Sequence, residues 1–125
     1  MIPWFIKHWI NDLEVAVTNV FAKKSPATGE VLALVARGGK EDADAAVMVA
    51  EEAYNRWSSV NVVRRAEIIR DLAILMRKRK EEFAQIVATE AGKPLRDALA
   101  EVDAAIECAF FFAGEGRRYF GEVIQ

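Results

Sequence analysis

Apolar residues recur at helical spacing from about residue 40 onward, and two breaks divide this pattern into three predicted helices. The first break is Ser58–Asn61, whose side-chain oxygens can cap the amide groups at the start of a helix. The second break is Glu90–Pro94. Gly92 can adopt the left-handed backbone conformation that often follows a helix, and Pro94 is favoured in the first turn of the next helix. The three helices are predicted over about 41–57, between the two breaks, and from the second break to about Arg118.

Each predicted helix has one apolar face that we expect to be buried. In the first helix this face is Ala43, Ala46, Val47, Ala50, Tyr54 and Trp57. In the second it is Val63, Ala66, Ile69, Leu72, Ala73, Met76, Phe83 and Val87. In the third helix it is Leu95, Leu99, Val102, Ile106, Ala109 and Ala113. The residues of this helix predicted to be exposed are Arg96, Asp97, Glu101, Asp103 and Glu107.

A charged run, Arg77–Glu82, falls in the middle of the second predicted helix. On a continuous helix it pairs Arg77 with Glu81 and Lys78 with Glu82, and each such pair stabilises an exposed helix by roughly 0.2–0.5 kcal/mol. We interpret the run as a solvated face. The alternative is a site for an anion or a membrane surface.

Two strands joined by a tight turn are predicted before the helices. Val15, Val17, Val20 and Phe21 precede the turn, and Val31, Leu32, Leu34 and Val35 follow it. The turn is Ser25-Pro26-Ala27-Thr28-Gly29-Glu30, in which proline fixes one dihedral angle and glycine permits a positive one. The predicted fold class is therefore α+β, mostly α, with a β-hairpin over 14–37 followed by three amphipathic helices within 40–125.

The apolar residues 1–13 fit two secondary structures. A helix face is formed by Ile2, Phe5, Ile6, Trp9, Ile10 and Leu13, although Pro3 is welcome only in a first turn, and a strand is the competing interpretation. The stretch is too short to span a bilayer and lacks a basic leading region, so we expect neither a transmembrane helix nor a secretion signal. Attachment to a membrane surface as an interfacial helix is a weaker alternative, because Lys7 and His8 are its only basic residues.

Charge, length and cysteine content exclude several classes of function. The chain has 17 basic and 19 acidic residues, so it lacks the positive field that nucleic acids require. Cys108 is its one cysteine and His8 its one histidine, which leaves no intramolecular disulfide and no zinc-ligand spacing. A length of 125 residues, 53% of them hydrophobic, fits a single globular domain. A reducing, cytoplasmic setting is expected.

Three motifs, in a fixed order, resemble those of a known family. They are the turn Ser25–Val31, the helix start Glu41-Asp42-Ala43-Asp44-Ala45-Ala46-Val47 and the corner Glu90-Ala91-Gly92-Lys93-Pro94, extended by Glu101-Val102-Asp103 and Gly121-Glu122-Val123-Ile124. Over roughly residues 10–125 the chain resembles the first stretch of NAD(P)-dependent aldehyde dehydrogenases, which commonly read Asn-Pro-Ala-Thr-Gly-Glu, Glu-Asp-Val-Asp-Ala-Ala-Val and Glu-Thr-Gly-Lys-Pro at these places. The resemblance implies the outer part of that family's cofactor domain, beside its main nucleotide-binding sheet.

The resemblance also implies that the catalytic groups of the family lie later in its chain. These groups are a thiolate nucleophile, a carboxylate general base and an amide-based oxyanion site. Cys108 falls inside a predicted helix beside Phe110, without a histidine close in sequence, and we interpret it as structural. Gly114-Glu115-Gly116 lacks the preceding strand and following helix start of a dinucleotide fingerprint. We predict no catalytic, cofactor-binding or metal-binding residue here, and no binding of NAD or NADP by this chain alone.

One metal site could carry over from the family. Some members hold a structural monovalent cation with a carboxylate at the position of Glu90 and a backbone carbonyl near that of Lys24. In this chain Lys24 adds a positive charge there and Ser25 replaces the usual asparagine. We therefore do not expect a cation to bind, and we expect Glu90 only to end a helix.

The consecutive aromatic residues Phe110, Phe111 and Phe112 bear on the partners of the chain. Neighbours on a helix are about 100° apart, so one core face cannot cover all three rings. Each ring left in water forfeits about 1.5–3 kcal/mol of burial, which favours association. We predict a homo-oligomer, most simply a dimer, with the remainder of an aldehyde dehydrogenase as another partner. Two functions stay open: an enzyme-derived segment without activity of its own, and an interaction module that binds itself or a full-length aldehyde dehydrogenase.

Overall fold

The computed structural model describes residues 2–15 and 17–120, and within them short strands precede four helices. The strands are β1 (Phe5–Ile6), β2 (His8–Ile10), β3 (Leu13–Val15), β4 (Val20–Lys24) and β5 (Val31–Ala36). The helices are α1 (Lys40–Ser58), α2 (Val62–Lys78), α3 (Lys80–Ala91) and α4 (Leu95–Glu115). The predicted fold class, α+β and mostly helical, is confirmed. The matched segment Gly121–Ile124 lies outside the described residues.

The start of the chain forms the short strands β1, β2 and β3. The helical interpretation of residues 1–13 is therefore wrong, and the competing strand interpretation is correct. Strands β2 and β3 pair antiparallel, with His8 opposite Val15 and Ile10 opposite Leu13. The two residues between them, Asn11 and Asp12, have φ of 54° and 62°. Two consecutive positive φ angles suit a two-residue hairpin turn and interrupt any helix. The hypothesis of an interfacial helix loses its basis for the same reason.

The predicted hairpin that turns at residues 25–30 is confirmed, but its first strand begins at Val20 and not near residue 14. Val15, predicted to lie in that strand, belongs to β3 and pairs with His8. Strand β4 runs antiparallel to β5, and β1 joins the other edge of β5 in parallel, with Phe5 beside Leu34. The turn is closed by the Ser25 amide, which donates to the Glu30 carbonyl at 2.8 Å, and by the Gly29 amide, which donates to the Ser25 carbonyl at 2.8 Å. Gly29 has φ of 78°, as the turn requires.

The structure contains two compact units. One comprises residues through Ser59 together with Ile86–Lys93, and the other comprises Val60–Gln85 together with the residues from Pro94 onward. Two compact units are compatible with one domain or two, so the single domain predicted over 1–125 stays a prediction.

Helix α1 spans the predicted residues but shelters a different face. Val47, Tyr54 and Trp57, predicted to be buried, are exposed. The partly buried positions are instead Asp42, Ala46, Val49 and Ala53, a stripe rotated by roughly one residue, or about 100°. The helix carries apolar residues on both stripes, so the periodic pattern alone could not decide which one would be covered.

The predicted second helix is two helices, α2 and α3, which makes four where three were predicted. Helix α2 ends at Lys78, and the amide of Arg79, whose φ is −113°, donates to the carbonyls of Leu75 and Met76. The Arg79 guanidinium donates to both oxygens of Glu82 at 2.7 and 2.8 Å, and this hydrogen bonding lowers the pKa of the Glu82 carboxyl.

The ion pairs predicted along a continuous helix are wrong as a consequence of this break. Arg77 binds Glu107 at 3.1 Å instead of Glu81, and Glu82 binds Arg79 instead of Lys78. Neither glycine nor proline occurs in the run, so it contains no helix breaker. Contacts with α4 lie on both sides of the break, since Lys80 also binds Asp103 at 2.6 Å.

Helices α2 and α4 contact each other, and most of the buried residues on these two helices are small. Ala66 and Ala73 of α2 are buried, as are Ala98, Val102 and Ile106 of α4. The predicted core positions Val102 and Ile106 are confirmed, whereas Leu95, Ile69 and Leu72 are exposed. Asn61 caps α2 as predicted, accepting a hydrogen bond from the Val63 amide at 2.8 Å.

Two of the motifs that carry the family resemblance touch one another in the first unit. Gly92 follows α3 with φ of 67°, as predicted. A Cβ atom built on Gly92 would lie 3.2 Å from the Ala27 nitrogen and 3.2 Å from the Pro26 Cβ. The turn of the β4–β5 hairpin therefore packs directly against the corner after α3.

Replacing Gly116 with alanine should weaken the α2–α4 contact. The new Cβ would lie 2.4 Å from the Ala66 Cβ and 2.9 Å from the Val62 carbonyl oxygen, while the φ of −57° suits any residue. We expect Gly116→Ala to lower the free energy of unfolding by about 1–3 kcal/mol, measured by chemical denaturation. The control is Gly114→Ala, which meets only the Arg118 guanidinium at 3.4 Å; the prediction fails if both variants match the native chain.

Alanine at Gly92 should cost more than alanine at Gly29. Both glycines have positive φ, which costs an alanine about 1–2 kcal/mol, but a Cβ at Gly29 meets nothing within 4 Å. Gly92→Ala adds the crowding against Pro26 and Ala27 to that shared term. Thermal unfolding of the two variants measures the difference, and equal losses would show that the turn and the corner do not pack together.

Candidate functional site

The one cysteine lies on an exposed helix surface. Cys108 is in α4, as predicted, and its side chain is exposed, so it contributes nothing to the packed core. The residues one turn before and after it on the same side are Ala104, Ala105, Phe111 and Phe112. These neighbours offer neither a base to deprotonate the thiol nor donors to stabilise an oxyanion.

The glycines near the end of α4 serve packing. Gly114 and Glu115 are the last residues of α4, and Gly116 is its C-cap. Gly114-Glu115-Gly116 thus lies at the end of a helix, whereas the glycines of a dinucleotide fingerprint connect a strand to a helix. Gly116 is buried against Ala66 instead.

The residues considered for a cation lie in the first unit. Glu90 is partly buried in the last turn of α3, as predicted, and Lys24 ends β4. Ser25 is 7% exposed, and its hydroxyl accepts a hydrogen bond from the Thr28 amide at 3.3 Å. Across residues 2–15 and 17–120, no cluster of three or more histidine, cysteine, aspartate or glutamate side chains could hold a metal ion.

A cavity of about 330 Å³ lies at the start of α1, which sequence reasoning missed. It is lined by His8, Trp9, Ile10, Gly38, Gly39, Asp42, Ala43 and Ala46. The signals that could have revealed it are the paired glycines Gly38-Gly39 and the one histidine. His8 Nε2 is buried without a hydrogen-bond partner, and a Cβ on Gly38 would lie 2.9 Å from it.

The electrostatics of this cavity do not favour an anion. Asp42 accepts a hydrogen bond from the Gly39 amide at 2.8 Å, so a carboxylate already occupies the amide end of α1. A phosphate placed there would meet this negative charge and that of Glu41.

The aromatic run is exposed in the way the sequence predicted. The Phe110 ring is partly buried beneath the Arg77 guanidinium, 4.5 Å from its centroid. Phe111 and Phe112 are 61% and 55% exposed and meet edge to face with ring centroids 5.4 Å apart. Helix α2 also exposes Ile68, Leu72 and Leu75. No helix of the described residues is long and apolar enough to cross a membrane.

Comparison with known proteins places these features in a family. The model of the aldehyde dehydrogenase family matches residues 14–125. Malonate-semialdehyde dehydrogenase 1 of Geobacillus kaustophilus is 39% identical over 122 residues, which are 96% of this chain and 25% of that protein. The human mitochondrial succinate-semialdehyde dehydrogenase is 38% identical over 108 residues, 84% of this chain and 20% of that protein.

Solved structures agree in fold with this chain. Lactaldehyde dehydrogenase from Escherichia coli superposes with a TM-score of 0.91 at 28% identity, covering 99% of this chain and 26% of that one. PnpE in complex with nicotinamide adenine dinucleotide superposes with a TM-score of 0.91 at 26% identity, covering 96% and 25%. The chain thus spans about a quarter of the length of the relatives it matches. It belongs to the aldehyde dehydrogenase family, and corresponds to the N-terminal segment of that family.

Proposed function

We propose that this chain is an aldehyde dehydrogenase segment that forms the outer part of a cofactor domain and does not oxidise aldehydes alone. The observation that carries the proposal is the family match over residues 14–125 in a chain that spans a quarter of its relatives. The whole relatives are named as dehydrogenases of malonate semialdehyde, succinate semialdehyde and lactaldehyde. The substrate class that this segment would serve is therefore an aldehyde.

The chemistry of the described residues supports an inactive segment. Oxidation of an aldehyde through a covalent intermediate needs a nucleophile with a base beside it. Cys108 is the one thiol of the chain, and the residues one helical turn from it on its side of α4 are alanines and phenylalanines. The adjacent carboxylate, Glu107, forms an ion pair with Arg77. Gly116, in the segment considered as a cofactor-binding turn, packs against Ala66 of α2. The Asp42 carboxylate accepts a hydrogen bond from the Gly39 amide at the N-terminus of α1.

The proposed cofactor of the complete enzyme is NAD or NADP, which this segment alone is proposed not to bind. One relative of known structure was solved with nicotinamide adenine dinucleotide. The contribution of this segment would be structural. It would supply helices and a sheet edge beside the cofactor site, whose direct contacts to the cofactor would be made by later parts of the enzyme. A reducing, cytoplasmic setting is proposed because Cys108 is unpaired and exposed.

A second candidate function is an interaction module, and the exposed aromatic surface of α4 favours it. Phe111 and Phe112 lie in water although each could contribute apolar burial. Such a module would associate with itself or with a full-length aldehyde dehydrogenase. Recovery of one stoichiometric partner from cell extract by the tagged chain would favour this candidate over an inactive segment.

The purified chain should not reduce NAD or NADP in the presence of aldehydes. The assay follows reduced nicotinamide by absorbance with malonate semialdehyde, succinate semialdehyde and lactaldehyde, with a full-length aldehyde dehydrogenase as the positive control. Cys108→Ser is the matched variant and should give the same baseline as the native chain. Turnover that is lost in Cys108→Ser would overturn the proposal, because it would identify Cys108 as the nucleophile.

A further inference from the structure

We draw no further inference here: the strongest candidate, the cavity lined by His8, Trp9 and Asp42 between β2 and the start of α1, carries nothing because the chain spans about a quarter of its relatives and nothing in the structure shows what fills it.

Discussion

The close approach of α2 and α4 is the contact on which the second unit depends. The buried residues of these two helices are the alanines at 66, 73 and 98 with Val102 and Ile106, and Gly116 at the end of α4 lies against Ala66. Small side chains bring two helices together but bury little apolar area each. The contact therefore leaves no space for a side chain at Gly116, because a single methyl group there would overlap Ala66.

Because small residues occupy the interior, the large apolar residues lie outside. Phe111, Phe112, Leu72, Leu75 and Trp57 are all exposed, although residues of these types usually drive folding. A chain with this distribution has surface suited to further burial.

The absence of an evident reaction centre has local physical reasons in the described residues. The exposed thiol of Cys108 has alanines and phenylalanines one helical turn away on its side of α4, and the adjacent Glu107 pairs with Arg77. The amide end of α1 is occupied by Asp42, and His8 lies close to the backbone of Gly38. Each group that could do chemistry is thus either without a partner group or already engaged.

The sequence by itself determined the hairpin turn at Gly29, the corner at Gly92, the first and last helices, the exposure of the aromatic run and the family. These features depend on local geometry and on motif order, which are written in adjacent residues. Only the tertiary structure decided the face of α1 that is sheltered, the break at Arg79 and the strands before residue 16. Helix α1 has two apolar stripes, and either could have been covered. The break at Arg79 is marked by no glycine or proline, and ion pairs with α4 lie on both sides of it. Strand β1 is formed by pairing with β5, which is distant in the chain. Contacts between residues far apart in the chain made these choices, and periodicity along the chain cannot report them.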